Sequence, residues 1–168
     1  MSVTALTSMA EYLDTEYSPD REYVDGVVVE RNVGEKPHSK AQRHITVYLT
    51  TRYPAFSVWP EQRVRTIPDR RSRVPDVCVT LEEPPSDVFY TPPFICIEIL
   101  SRRDEVTDLL EKLEEYAAFG VPHIWVIDPR RKKAYIFSGS TLEEVKGDAL
   151  VTTDPEIRLP VEEIFRGL

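Results

Sequence analysis

The sequence predicts an α/β fold with a mixed central β-sheet flanked by helices. The run Phe94-Ile95-Cys96-Ile97-Glu98-Ile99-Leu100 is apolar on both alternating faces apart from one carboxylate, as a strand covered on both sides requires. A helical stripe follows, with Val106, Leu109, Leu110, Leu113, Tyr116 and Ala117 at three- and four-residue spacing. Ile124 to Ile127 is then a second buried run. Strand, helix and strand in succession imply a right-handed crossover, and the remaining strands make the sheet mixed, with helices on both faces.

In chain order, a short amphipathic helix is expected after Thr7, including Met9, Tyr12 and Leu13. Glu22 to Glu30 reads as a strand or hairpin, with Asp25-Gly26 as its tight turn. From Ser39 to Tyr53 the period is helical, with Ile45, Tyr48, Leu49 and Arg52 recurring on one side until Pro54 stops the run. Phe56 to Ile67 alternates as one strand, Pro68 to Arg71 is a turn, and Val74 to Leu81 is the next strand. Glu82 to Pro93, with four prolines, is expected as an exposed loop. Ser101 and Asp104 have capping-box spacing, which predicts that the crossover helix begins there. Gly120 and Pro122 end that helix. After Ile127, Asp128-Pro129 closes the strand, and Ala134 to Phe137 is expected as an edge strand beyond the basic turn Arg130 to Lys133.

The 168 residues suit one domain spanning positions 1–168. No repeat, low-complexity tract or linker interrupts them. No apolar run approaches the roughly 20 residues of a membrane-spanning helix. Met1 to Ala10 lacks the basic start and apolar stretch of a secretory signal, so a cytoplasmic location is expected. Cys78 and Cys96 sit in apolar strand-like runs and are expected as reduced core residues. The net charge of −8 argues against a protein that coats nucleic acid non-specifically. It does not exclude an enzyme acting on nucleic acid, because carboxylates gathered at a metal site add charge that the ion cancels.

Glu98 is the most informative residue. An ionised carboxylate within a buried strand costs several kcal/mol unless something pairs with it. Asp76, in Val74-Pro75-Asp76-Val77-Cys78-Val79, lies in the preceding strand. Taken alone, its ordinary reading is a turn or strand-start aspartate. If the two strands are neighbours, the acids converge, and a hard divalent cation would relieve their repulsion. Lys112 stands at the border of the helical stripe, about one turn before Tyr116. Its stem can cover the core while its ammonium turns toward the sheet. There it would orient a nucleophile or stabilise developing negative charge.

Beyond these residues, the chain resembles a known family. The resemblance rests on Asp76 after a proline, on Glu98 in Glu-Ile-Leu-Ser, and on Asp108 and Lys112 before Glu-Tyr-Ala-Ala. It continues through Gly120-Val121-Pro122-His123-Ile124-Trp125-Val126-Ile127-Asp128-Pro129. These segments are similar to the Uma-type restriction endonuclease family, itself similar to the PD-(D/E)xK nuclease superfamily. That superfamily usually has its lysine two residues after the second acid. The corresponding position here is Leu100, so the resemblance implies a lysine migrated to the following helix, at Lys112.

The similarity runs from about Glu22 to Phe137 and implies a restriction-endonuclease-like fold. By that resemblance Glu22 is a further site acid, at the edge of a metal or holding a water. Its ordinary reading is a solvated strand-start glutamate. His38 also fits the family and is read as a helix-start residue ahead of a ligand, whereas His44 and His123 are read as structural or surface residues. The chain departs from relatives that carry Ser-Pro after the strand, having Ser101-Arg102-Arg103 instead.

The expected activity is phosphodiester hydrolysis by an endonuclease, with Mg²⁺ or Mn²⁺ held by Asp76, Glu98 and a main-chain carbonyl near Ile99. DNA is the substrate the resemblance favours, and a homodimer would allow both strands to be cut. Two other readings stay open: a nuclease fold serving as a nucleic-acid- or partner-binding module with little or no turnover, and a small-molecule phosphoesterase. Arg63, Arg65, Arg70, Arg71 and Arg73, with Arg102 and Arg103, either meet phosphates or balance an acidic surface. The second use is slightly favoured for the first five.

Overall fold

The structure of the chain is a computed structural model that describes residues 5–32 and 34–168. Met1–Thr4, part of the stretch read for a secretory signal, lie outside the described residues. A first helix, α1 (Met9–Asp14), starts at a Ser8–Glu11 capping box. The hairpin β1 (Glu22–Val24) and β2 (Val27–Val29) turns at Asp25-Gly26, both at positive φ. Helix α2 (Lys36–Arg52) begins three residues earlier than the apolar period suggests, with Pro37 in its first turn. Proline is tolerated there because the first N–H groups of a helix have no intrahelical acceptor.

Phe56–Ile67 is not one strand. It divides into β3 (Ser57–Pro60) and β4 (Val64–Ile67), which belong to different sheets. Glu61 between them has φ +51, a left-handed conformation that breaks an extended run. After a turn at Asp69 comes β5 (Arg71–Arg73), a polar strand with no apolar alternation to announce it. β6 (Val77–Thr80) and β7 (Ile95–Ile99) follow, the latter buried throughout. The loop between them is not wholly exposed: Phe89 is buried and bridges to Val64.

Helix α3 (Val106–Phe119) starts later than Ser101. Ser101 and Asp104 do bond, the Ser101 N–H donating to Asp104 Oδ2 at 2.6 Å, but they form a turn ahead of the helix. Within α3, Val106 and Ala117 are exposed, and Glu115 is buried beside Leu113 and Tyr116. Gly120, at φ +106, supplies the left-handed residue that ends the helix.

β8 (His123–Asp128), β9 (Lys133–Ser138) and β10 (Thr141–Glu144) extend the sheet. β9 is therefore internal, and β10 is the edge that Ala134–Phe137 was expected to form. A hairpin of β11 (Ala149–Val151) and β12 (Arg158–Pro160) leads into α4 (Val161–Phe165).

The large sheet has the order β10-β9-β8-β7-β6-β3, and the small one β2-β1-β5-β4. Only β7 and β8 are parallel in the large sheet, which makes it mixed. Alternation sorts its side chains. Val77, Val79, Ile95, Ile97, Trp125 and Ile127 pack with α2 and α4, while Cys78, Cys96, Ile124 and Val126 pack with Leu113 and Tyr116 of α3. Helices thus cover both faces. The two cysteines are free, buried, and paired across β6 and β7. Among the described residues no helix is long and apolar enough to cross a membrane.

Candidate functional site

The register of β6 against β7 brings the two acids together. Val77 pairs with Ile97 and Cys78 with Cys96, so one further step sets Asp76 opposite Glu98. Both share the parity of the cysteines, which face α3. They lie at the end of the large sheet where β7 leaves for α3, on the floor of a cleft of about 290 Å³. Lys112 comes to the same cleft from α3. Its ammonium is 3.4 Å from Glu98 Oε2 and 3.0 Å from Glu22 Oε1, with the side chain 18% exposed. Glu22 arrives from β1 of the small sheet. All four predicted site residues therefore meet in one place.

Each acid is held differently. Glu22 accepts from the Val74 N–H at 3.1 Å and from Arg73 at 3.2 Å as well as from Lys112. Burial opposes its charge, but Lys112 and Arg73 prevail and hold its carboxyl below the usual range. Asp76 accepts from the Ile99 N–H at 2.7 Å, from Arg31 at 2.8 Å, and lies 3.2 Å from His38 Nε2. Against burial, His38 and then Arg31 keep it ionised.

Glu98 fares otherwise. Burial pushes its carboxyl up to about 7, Lys112 pulls the other way, and the charges of Asp76 and Glu22 raise it further. The Tyr116 hydroxyl donates to Glu98 Oε1 at 2.6 Å. Burial opposes the Lys112 charge, but Glu22 and then Glu98 prevail and hold its ammonium above the usual lysine range. The geometry agrees: Lys112 is nearer to Glu22, which leaves Glu98 only partly neutralised.

Three contributors escaped the sequence reading as polar site residues, Arg31, Glu115 and Tyr116, and Arg73 was read only as one of an arginine cluster. Tyr116 was read only as part of an apolar stripe, yet its spacing from Lys112, four residues, was a usable signal. Glu115 is buried and accepts from Arg73 at 2.7 Å, from Arg71 at 3.1 Å, and from the Thr66 hydroxyl. His38 starts α2 as expected and also reaches Asp76. His44 lies 3.0 Å from the Ile164 carbonyl and His123 packs on Phe94.

The arginines of the small-sheet region are engaged internally: Arg63 with Asp20, Arg65 with Asp69, Arg70 and Arg71 with Asp25, and Arg73 with Glu115. The pairs to Asp20, Asp69 and Asp25 match the charge-balancing use of that cluster, whereas Arg73 and Glu115 pair in the interior. Among the described residues no group of three or more His, Cys, Asp or Glu is arranged to hold a metal ion. The buried carboxylates of the cleft are Asp76, Glu98 and Glu22, the last paired with Lys112, and Glu30, Asp104, Glu105, Asp108 and Glu111 line it nearer to solvent.

Residues 9–168 match the model of the Uma2 family, described as "Putative restriction endonuclease". The chain belongs to the Uma2 family. Its match to the Uma2 model extends beyond the Glu22–Phe137 stretch at both ends and takes in α1, β10 to β12 and α4. Among solved structures, this Uma2 chain is similar to a protein from Anabaena variabilis described as a "putative nuclease". The TM-score is 0.78 at 21% identity, covering 94% of this chain and 97% of that one. No curated protein matches it. The structural likeness establishes a nuclease-like fold, and membership of the Uma2 family supports nuclease activity in general.

Proposed function

We propose that the chain is a metal-dependent endonuclease that hydrolyses phosphodiester bonds in DNA, working in the cytoplasm and as a homodimer on duplex substrates. The observation that carries this reading is the meeting of Asp76, just before β6, Glu98 of β7 and Lys112 of α3 on the floor of one cleft. Two hard oxygen donors on neighbouring strands, one of them only partly neutralised, suit Mg²⁺ or Mn²⁺. Asp76 and Glu98 would hold it, and when bound it supplies Lewis acidity toward a phosphoryl oxygen and acidifies water.

The chain's own groups do the rest. The Lys112 ammonium holds a water for in-line attack and stabilises negative charge on the phosphoryl oxygens as it develops. Glu22 keeps that ammonium on the cleft floor instead of in solvent. Tyr116 fixes the Glu98 carboxylate from behind, leaving Oε2 directed toward Lys112.

Purified protein should cut DNA only with a divalent metal. Glu98→Ala and Lys112→Ala should each lower the rate by about 100-fold or more, with circular dichroism unchanged. Equal cutting by wild type and Glu98→Ala would trace the activity to a contaminant and end the proposal.

A second reading has one observation in its favour. Asp76 Oδ1 is already engaged by two donors, Arg31 and His38, as expected of a nuclease fold kept for binding nucleic acid or a partner without turnover. DNA binding without cleavage under any metal would select it.

A further inference from the structure

Arg31 stands in the segment joining β2 to α2, with its side chain only 7% exposed. A buried guanidinium is costly unless its N–H groups find acceptors. Nη2 donates to Asp76 Oδ1 at 2.8 Å, whereas Nη1 has no acceptor among the described residues and lies 3.9 Å from Glu61. The guanidinium is half satisfied, and what holds it in the cleft is Asp76.

Asp76 is crowded in turn. A carboxylate offers about four lone-pair sites, two on each oxygen. Oδ1 faces both Arg31 Nη2 and His38 Nε2, and Oδ2 accepts from the Ile99 N–H. The main-chain bond is part of the fold at the β6–β7 end, and His38 is fixed in the first turn of α2. Arg31 alone sits on a connecting segment and has a long, flexible side chain. A divalent ion bound to Asp76 and Glu98 would sit within a carboxylate's width of the guanidinium, and two cations at that separation repel. Of the groups that donate to Asp76, Arg31 is the one freest to move away.

We propose that Arg31 is an exchangeable counter-ion of the site. It neutralises Asp76 until a divalent cation takes its place, and then turns outward along the cleft wall that it already lines, where an anionic phosphodiester approaches. This inference rests on the metal-dependent reading above. It makes Arg31 the residue that sets how readily the cleft takes up a cation.

The test measures Mn²⁺ binding to the full chain by titration calorimetry in wild type, Arg31→Gln and Asp76→Asn. Arg31→Gln is expected to bind Mn²⁺ about tenfold more tightly than wild type, and Asp76→Asn to lose binding. In parallel, phenylglyoxal labelling of wild type, read by peptide mass spectrometry, should modify Arg31 slowly alone and quickly with saturating Mn²⁺. Unchanged or weaker binding by Arg31→Gln, with Asp76→Asn still defective, overturns the counter-ion role and leaves the metal site standing. Binding in none of the three, or binding indifferent to Asp76→Asn, overturns the metal reading and this inference with it. If Arg31→Gln loses its cooperative melt, the labelling decides: protection of Arg31 that Mn²⁺ does not change overturns the proposal.

Discussion

Glu98 is 7% exposed, and its carboxyl is pushed up to about 7, by burial first and then by Asp76 and Glu22 against the pull of Lys112. The sign of the consequence is fixed. An unfolded chain releases this proton near 4.5, whereas the folded one keeps it until about 7, so folding stability falls as pH rises between those values and then levels. Glu98→Gln, neutral at every pH, should melt several degrees above wild type at pH 8.5, and the gap should close toward pH 5. Parallel melting curves across that range would show that Glu98 is ionised without cost. Glu115 makes the opposite case. It closes a buried network with Arg73, Arg71 and Thr66, so Glu115→Ala leaves Arg73 with Glu22 as its nearest remaining acid among the described residues and should cost about 3 kcal/mol in urea denaturation. Glu111, half exposed and paired with Arg71, should cost at most about 1 kcal/mol when removed in the same way.

Helix α3 joins the two sheets at the cleft. Lys112, Glu115 and Tyr116 are spaced i, i+3 and i+4, so one helical face presents all three. Lys112 reaches Glu22 of β1 and Glu98 of β7, Glu115 reaches Arg73 of β5, and Tyr116 reaches Glu98 again. Rotating the helix by one residue would separate all of these pairs together. Its N-terminus is its weak point: Glu105 is the cap residue and its side chain makes no capping bond. Glu105→Ser should therefore stabilise the protein by about 0.5–1 kcal/mol, read as a shift in denaturant midpoint at constant slope. No gain would mean that the preceding turn, where Ser101 and Asp104 bond and Asn32 donates to Asp104, already satisfies the start of the helix. That turn also explains the misplaced helix start. Capping-box residues were present, but their bond closes a turn one step earlier.

At the scale of the whole molecule, the parallel pair β7 and β8 ends on the same side as the cleft. The turns that follow those strands carry Arg102 and Arg103, and Arg130, Arg131 and Lys132. Glu35 ties the two turns together, accepting from the Arg102 N–H and from the Arg130 side chain. Arg102, Arg103 and Arg131 are exposed, unlike the internally paired arginines of the small-sheet region. A chain of net charge −8 thus keeps a local basic patch beside the cleft, which Arg103 itself lines among Asp104, Glu105 and Asp108. Replacing Arg102 and Arg103 with Ala should weaken duplex DNA binding and lower the slope of log affinity against log salt by roughly 2. An unchanged slope would place the phosphate contacts elsewhere.

What the sequence determined by itself is whatever short-range pattern controls: the covered strand around Glu98, the helix carrying Lys112, the Asp25-Gly26 turn, and the candidacy of Asp76, Glu98 and Lys112, whereas Glu22 was a candidate only through the family resemblance. Alternation and helical period are properties of neighbouring residues, and a buried acid advertises itself by standing among isoleucines. Only the tertiary structure decided the split of Phe56–Ile67 between two sheets, the polar strand β5, the internal position of β9, and the partners of the site. Arg31 and Asp76, or Arg73 and Glu115, lie more than 40 residues apart. Which cation meets which acid is set by how strands and helices pack, because ion pairing depends on distance in space and leaves no period along the chain.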